Sequence, residues 1–170
     1  VVMNAGAYGG QLSDVLTEAQ VLRNGRVETW TREKMDMGYR TSRPLRENCV
    51  VLSARFRLQR GDASAISQTM RDLNARRRDK QPLNYPSAGS TFKRPEGYFA
   101  GALIEGAGLK GLRVGGAQVS EKHAGFIVNV GSATAGDILE LIARVQRAVL
   151  EKDGVALETE VRVVGEEPDI

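Results

Sequence analysis

The chain has little with which to cross-link, ligate metal or stack on bases: among 170 residues there is one cysteine, one histidine and one tryptophan, and aromatics make up 5%. A single cysteine, Cys49, forms no internal disulfide, and its place beside Val50, Val51 and Leu52 predicts a buried, inert thiol in a reducing compartment. One histidine, His123, far in sequence from that cysteine, gives no metal-ligand set, so no metal is expected. The longest apolar stretches fall well short of the roughly 18–20 residues a membrane span needs. No basic leader precedes them, so the chain reads as soluble, without a membrane partner. Internal repeats and biased tracts are also absent, which argues against solenoids, coiled coils and disorder.

What is present is an ordinary globular mixture, 41% hydrophobic and 26% charged, with a net charge of +3. That mild positive excess favours anionic ligands but falls short of a nucleic-acid-binding signature, so no nucleic-acid partner is expected. The start is unusual. Val1, Val2 and Met3 run straight into the glycine-rich string at 4–10, with no capped element before it, as in a cut chain.

Apolar and β-branched residues then recur at 15–22, 27–31 and 50–58, which predicts antiparallel strands, the first two joined by a hairpin at Asn24-Gly25. Beyond Arg60-Gly61-Asp62 the period changes to that of a helix, with Ile66, Met70 and Leu73 on one face, and a domain boundary is placed here. A Pro/Gly/Ser linker follows. A short helix near 98–107 should pair Phe99 with Leu103. The clearest helix starts at a Thr134/Asp137 capping box, carries Ile138, Leu141, Ile142, Val145 and Val149 as its apolar stripe, and stops at Gly154. Strands are expected at 114–119, 126–130 and 157–164. The class is α+β.

Five segments could carry chemistry. The glycines at 4–10 leave backbone amides able to approach a phosphate or a flat ring, although a glycine-rich segment of this length is more often a tight turn. In Tyr39-Arg40-Thr41-Ser42 a guanidinium follows an aromatic ring, suited to gripping a carboxylate or phosphate, although an ordinary surface arginine is the more frequent reading of such a pair. Arg76 and Lys80 share a helix face at i, i+4 and would suit a diphosphate, although solvation and compensation of the helix C-terminus explain most such runs. Residues 87–95 expose the hydroxyl of Ser90 ahead of Lys93 and Arg94, with no elbow motif to make it a hydrolase nucleophile. In residues 157–162, strict alternation puts Glu158, Glu160 and Arg162 on one face.

Together and in order, the strings NAGAYGG, GYRTS, SAGSTFKRP, GLKGLRVGGAQVSEKHAGFIVN and LETEVRVVG resemble the UDP-N-acetylenolpyruvoylglucosamine reductase family over nearly the whole chain. That resemblance implies a cytoplasmic flavoenzyme of peptidoglycan synthesis. It would use FAD, with NADPH as reductant, to reduce UDP-N-acetylglucosamine enolpyruvate to UDP-N-acetylmuramate. It implies Ser90 as proton donor, and Arg40 and Glu160 as the groups that polarise the substrate carboxylate and stabilise the enol-like intermediate. Asn4, Gly6, Ala7, Tyr8 and Gly9 would line the flavin. Arg76, Lys80 and Lys93 would face the diphosphate or substrate, with His123 near the sugar nucleotide. Residues 1–60 would be the end of an FAD-binding α+β region whose N-terminal part, with its pyrophosphate loop, is missing. Residues 61–170 would be a small α+β substrate-binding domain. The short interval between Arg40 and Ser90 matches the subtype without an extra tyrosine loop, and Arg94 stands where many relatives have asparagine. The alternative is an isolated UDP-sugar-binding module without redox turnover.

Overall fold

A glycine-rich start need not be a loose loop, because two residues with positive φ can close a two-residue turn whose twist matches a hairpin. Tyr8 (φ 53°) and Gly9 (φ 86°) do this, joining β1 (Gly6–Ala7) to β2 (Gly10–Gln11). Asn24 (φ 50°) and Gly25 (φ 76°) repeat the device between β3 (Leu16–Arg23) and β4 (Arg26–Thr31). One-turn helices α1 (Arg32–Met35) and α2 (Arg43–Arg46) follow, the first capped by the Thr31 hydroxyl. Strand β5 (Val50–Phe56) then pairs with the free edge of β3, giving the order β4-β3-β5. Leu16, Ala19, Val21, Trp30 and Met35 form the core of this unit, and Cys49, expected to be buried, is half-buried at its margin.

The structure, a computed structural model, describes residues 1–165 and falls into two compact units, Val1–Ala63 and Ser64 onward. Antiparallel sheets and helices occur in both, so the class is α+β as the periodicities predict. In the second unit α3 (Ala63–Lys80) is followed by β6 (Ser87–Ser90), α4 (Ala100–Gly106), β7 (Arg113–Val114), β8 (Ala117–Val119), β9 (Phe126–Asn129) and α5 (Ala135–Asp153). The sheet order is β6-β9-β8-β7. Helix α5 follows its sequence signals closely: Thr134 Oγ1 accepts from the Asp137 amide, the Asp137 carboxylate returns the bond to the Thr134 amide, and Gly154 ends the helix at φ 68°. Its Leu141, Ile142, Val145 and Val149 are buried against Ile104, Ala117, Val119 and Ile127. Each such side chain contributes about 1.5–3 kcal/mol when fully buried.

Two expectations, both of strands, need correction. The strand at 114–119 is a hairpin, β7 turning into β8 through Gly115 and Gly116, because two consecutive glycines supply a turn where alternation alone reads as one strand. Only Thr159 of 157–164 is paired, in a single bridge to Phe92, because the alternating sequence meets a partner for just a few residues. Helix α3 forms where the spacing of Ile66, Met70 and Leu73 predicts one, with Ile66 and Met70 49% and 59% exposed and no described α3 residue buried. The expected short helix is α4, and Phe99 precedes it as its N-cap, 62% exposed, with the Arg94 guanidinium 3.9 Å above its ring.

Candidate functional site

The serine string reads as a loop because Gly89 interrupts it, yet it forms β6, and the interruption is a bulge. Ser87 pairs with Val128 and Ser90 with Phe126, so three steps along β6 match two along β9, with Gly89 at φ 88° taking up the extra residue. The bulge leaves Ser90 exposed at the strand end. At the next residue the chain changes partners. Thr91 donates its amide to the Gly125 carbonyl (2.9 Å), its Oγ1 accepts from the Ile127 amide (3.1 Å), and its carbonyl accepts from the Glu160 amide (2.8 Å). Thr91 is 3% exposed. Ser90 and half-buried Glu160, seventy residues apart in sequence, are thereby held beside one another across a backbone pairing that ends where Lys93 donates its amide to the Glu158 carbonyl. No feature of composition singled out Thr91; the one available sign is a β-branched residue between two motif positions.

The cations around this junction are already engaged. Lys93 Nζ lies 2.8 Å from Glu158 Oε2, and that hydrogen bond, followed by the charge itself, holds the Glu158 carboxyl below the usual carboxylate range. Arg94 stacks on Phe99 and donates from Nε to the Tyr98 carbonyl, closing the turn that enters α4. His123 Nδ1 accepts from the Gly125 amide (3.1 Å), which places the proton of a neutral ring on Nε2, and the ring meets Phe126 edge-on at 5.0 Å. Glycines 101 and 125 make room for this ring: a Cβ on either would stand 3.2 or 3.0 Å from its Cε1. Arg76 and Lys80 lie exposed near the end of α3. Lys122 Nζ reaches the Arg78 carbonyl (2.5 Å), tying the end of that helix to the His123 loop.

Beside the junction is a cleft of about 510 Å³, with Ser87, Thr91 and Asn129 on the sheet side, Ile138 and Ile142 of α5 as an apolar wall, and Arg162 at its margin. Among the described residues no cluster of three or more His, Cys, Asp or Glu could hold a metal, and no helix is long and apolar enough to cross a membrane.

In the first unit the two motif strings are latched together. Asn4 is 3% exposed, and its side chain is spent on the fold. Its Oδ1 accepts from the Ser13 amide (2.9 Å), and its Nδ2 donates to Gln11 Oε1 (3.1 Å) and to the Gly38 carbonyl (3.2 Å). Ser42, fully buried, donates to the Val2 carbonyl at 2.7 Å. Between these latches, Gly38 and Thr41 bridge, so Tyr39 and Arg40 form the tip of a tight turn with Arg40 at φ 52° and its guanidinium 5.2 Å from the Tyr39 ring. The hairpin tip Ala7-Tyr8-Gly9 is exposed, and a Cβ on Gly9 would meet nothing within 4 Å. Its backbone is open to a planar or anionic group.

Residues 81–164 match the family model described as UDP-N-acetylenolpyruvoylglucosamine reductase, C-terminal domain. The UDP-N-acetylenolpyruvoylglucosamine reductase of Levilactobacillus brevis is 57% identical over 169 residues, covering 99% of this chain and 56% of the relative. That of Clostridium novyi is 56% identical over 170 residues, covering 99% and 55%. The crystal structure of UDP-N-acetylenolpyruvylglucosamine reductase from Thermus caldophilus superposes with a TM-score of 0.82 at 37% identity, over 95% of this chain and 57% of that one. The chain thus spans about half the length of the curated relatives it matches. On these grounds the chain belongs to the UDP-N-acetylenolpyruvoylglucosamine reductase family.

Proposed function

We propose that these residues serve the NADPH-dependent reduction of UDP-N-acetylglucosamine enolpyruvate to UDP-N-acetylmuramate, a cytoplasmic step of peptidoglycan precursor synthesis. The observation that carries this reading is the junction at Thr91, whose carbonyl accepts from the Glu160 amide immediately after the exposed Ser90. In the net reaction the enolpyruvyl double bond gains a hydride on its methylene carbon and a proton on the carbon next to the carboxylate, while NADPH becomes NADP⁺. Ser90 Oγ holds the proton. A hydroxyl is a weak acid, so its use rests on neighbours that favour charge in the reacting group over charge in water. Glu160 and Arg40 are assigned to the carboxylate end of the substrate, where the guanidinium gives a bidentate grip. Arg76 and Lys80, exposed at i, i+4, and Lys93, whose charge Glu158 now shares, are assigned to the diphosphate, and His123 to the vicinity of the sugar nucleotide.

The open hairpin tip fits a flavin edge through the backbone of Gly6, Ala7, Tyr8 and Gly9. Asn4 contributes by shaping that hairpin, since its side chain is bonded inward. FAD, when bound, supplies the hydride that NADPH provides. Residues 61–170 are assigned as the substrate-binding unit and 1–60 as part of the FAD-binding region, an assignment supported by the division into compact units at Ala63 and Ser64.

Separate calorimetric titrations with FAD and with UDP-N-acetylglucosamine enolpyruvate test this. Saturable binding of the sugar nucleotide, lost in Arg76→Ala/Lys80→Ala, supports the assignment. Sugar-nucleotide binding with no NADPH oxidation by the protein at its native length would leave a binding module only, and no binding of the sugar nucleotide at native length would refute the reading.

A further inference from the structure

A bulge that re-aims a side chain has to be held open, and the group that holds it is as necessary as the side chain itself. In β6 the extra residue at Gly89 removes the backbone acceptor that the Ile127 amide would otherwise meet, and Ile127 is 6% exposed, so that donor cannot turn to water. The Thr91 hydroxyl replaces the missing acceptor at 3.1 Å, while the Thr91 amide and carbonyl bind Gly125 and Glu160 on opposite sides. Three chain segments therefore meet on one residue, which lies directly after Ser90 and directly across from Glu160.

We propose that Thr91 is a positioning residue, its hydroxyl fixing the approach of Ser90 to Glu160 by replacing the hydrogen bond lost at the bulge. This rests on the reading of Ser90 and Glu160 as working groups. The geometry demands a hydroxyl acceptor, so serine suffices in its place and valine, almost the same shape, does not. A misplacement of about 1 Å at a reacting group can cost as much as 10²-fold in rate, so the effect is expected in kcat and not in binding of the sugar nucleotide.

The test compares Thr91→Val, Thr91→Ser and the unaltered protein at native length, by NADPH oxidation and by amide hydrogen exchange. In Thr91→Val, kcat should fall by about tenfold or more with KM for the sugar nucleotide within about threefold, and the Ile127 and Glu160 amides should exchange on the order of tenfold faster, the factor one lost buried hydrogen bond is worth. Thr91→Ser should restore both. Unchanged kcat in Thr91→Val, or a serine variant as slow as the valine variant, would overturn the assignment. If Thr91→Val does not fold, Thr91→Ala, which presses no methyl against the Ile127 amide, takes its place with the same expectations. Should the unaltered protein oxidise no NADPH, the proposed reaction fails, while the positioning claim is still decided by exchange at Glu160: faster in the valine variant supports it, unchanged refutes it.

Discussion

Gly116→Ala should destabilise the second unit severely, and the reason lies in the backbone rather than in any side chain. A Cβ at Gly116 would fall on the Gly131 carbonyl and the Ala133 amide and stand 2.8 Å from Ala133 Cα, closer than real Cβ contacts come. None of these atoms is the flexible end of a side chain. The 131–133 segment leads directly into Thr134, the cap of α5, and is itself pinned by the Asn129 carboxamide, which accepts from the Gly131 and Ala133 amides at 3.0 and 3.1 Å. Relief of the clash must therefore move the entry of α5 or part β8 from β9 at the bond from the Val130 amide to the Gly116 carbonyl. Overpacking at well-packed sites costs about 1–3 kcal/mol and sometimes more, and an entirely backbone-lined clash belongs at or beyond the top of that range. For a unit of this size about 3 kcal/mol corresponds to a fall in Tm on the order of 10–20 °C. Gly136→Ala is the internal control: it sits in the first turn of α5, its nearest foreign atom would be Thr134 Oγ1 at 3.7 Å, and alanine there should stabilise by about 0.5 kcal/mol. Thermal denaturation followed by circular dichroism measures both. A Gly116→Ala protein melting within a degree or two of the parent would refute the reasoning.

Ser90→Ala should lower NADPH oxidation by about 10²–10⁴-fold, the range for loss of a positioned acid, with sugar-nucleotide affinity measured by calorimetry nearly unchanged. Asn4→Ala leaves the half-buried Ser13 amide without its acceptor and takes from the Gly38 carbonyl one of its two donors, the Thr41 amide being the other, and should cost about 1–2 kcal/mol in denaturant unfolding. Trp30→Phe removes the bond from Nε1 to Glu28 Oε2 (2.8 Å) and leaves space in the core of the first unit, for a loss of about 1–3 kcal/mol in the same measurement. The Lys93–Glu158 pair gives a pH signature. Because the folded carboxyl is held below its ordinary value, the pair is fully present above the unfolded carboxylate pKa and is lost as pH falls through the lowered one. A carboxyl NMR titration should show Glu158 returning toward the ordinary value in Lys93→Met.

How much of this could be read from the sequence depended on whether a signal was local. Helix α5 was legible because its cap, its stripe and its stop all lie within twenty-one consecutive residues, from Thr134 to Gly154. Both two-residue hairpins follow from residues that tolerate positive φ, although only Asn24-Gly25 stood out, since the tip at Tyr8-Gly9 carries a tyrosine where asparagine or aspartate is the usual sign. Alternation from 157 to 162 says which residues could share a face of a strand but not how far a partner runs beside them, so a single bridge looked like a full strand. Ile66 and Met70 have helical spacing, and spacing does not state what covers a face. At the site, the motif strings pointed to Ser90 and Glu160, but the means of bringing them together was hidden, because Thr91 acts through one hydroxyl at a bulge that only the paired β9 defines.

The latch in the first unit also bears on the order in which the chain can acquire structure. Asn4 reaches Gly38 across 34 residues and Ser42 reaches Val2 across 40, so the start of the chain cannot be satisfied until the turn at Arg40 exists. Contacts of such wide sequence separation form late and slowly, after the entropy of closing the intervening loop has been overcome. During synthesis the glycine-rich hairpin would emerge before the turn at Arg40 and wait unlatched, so residues 2–4 and 38–42 should acquire protection from exchange in a single step, well after the β3–β4 hairpin between them has formed.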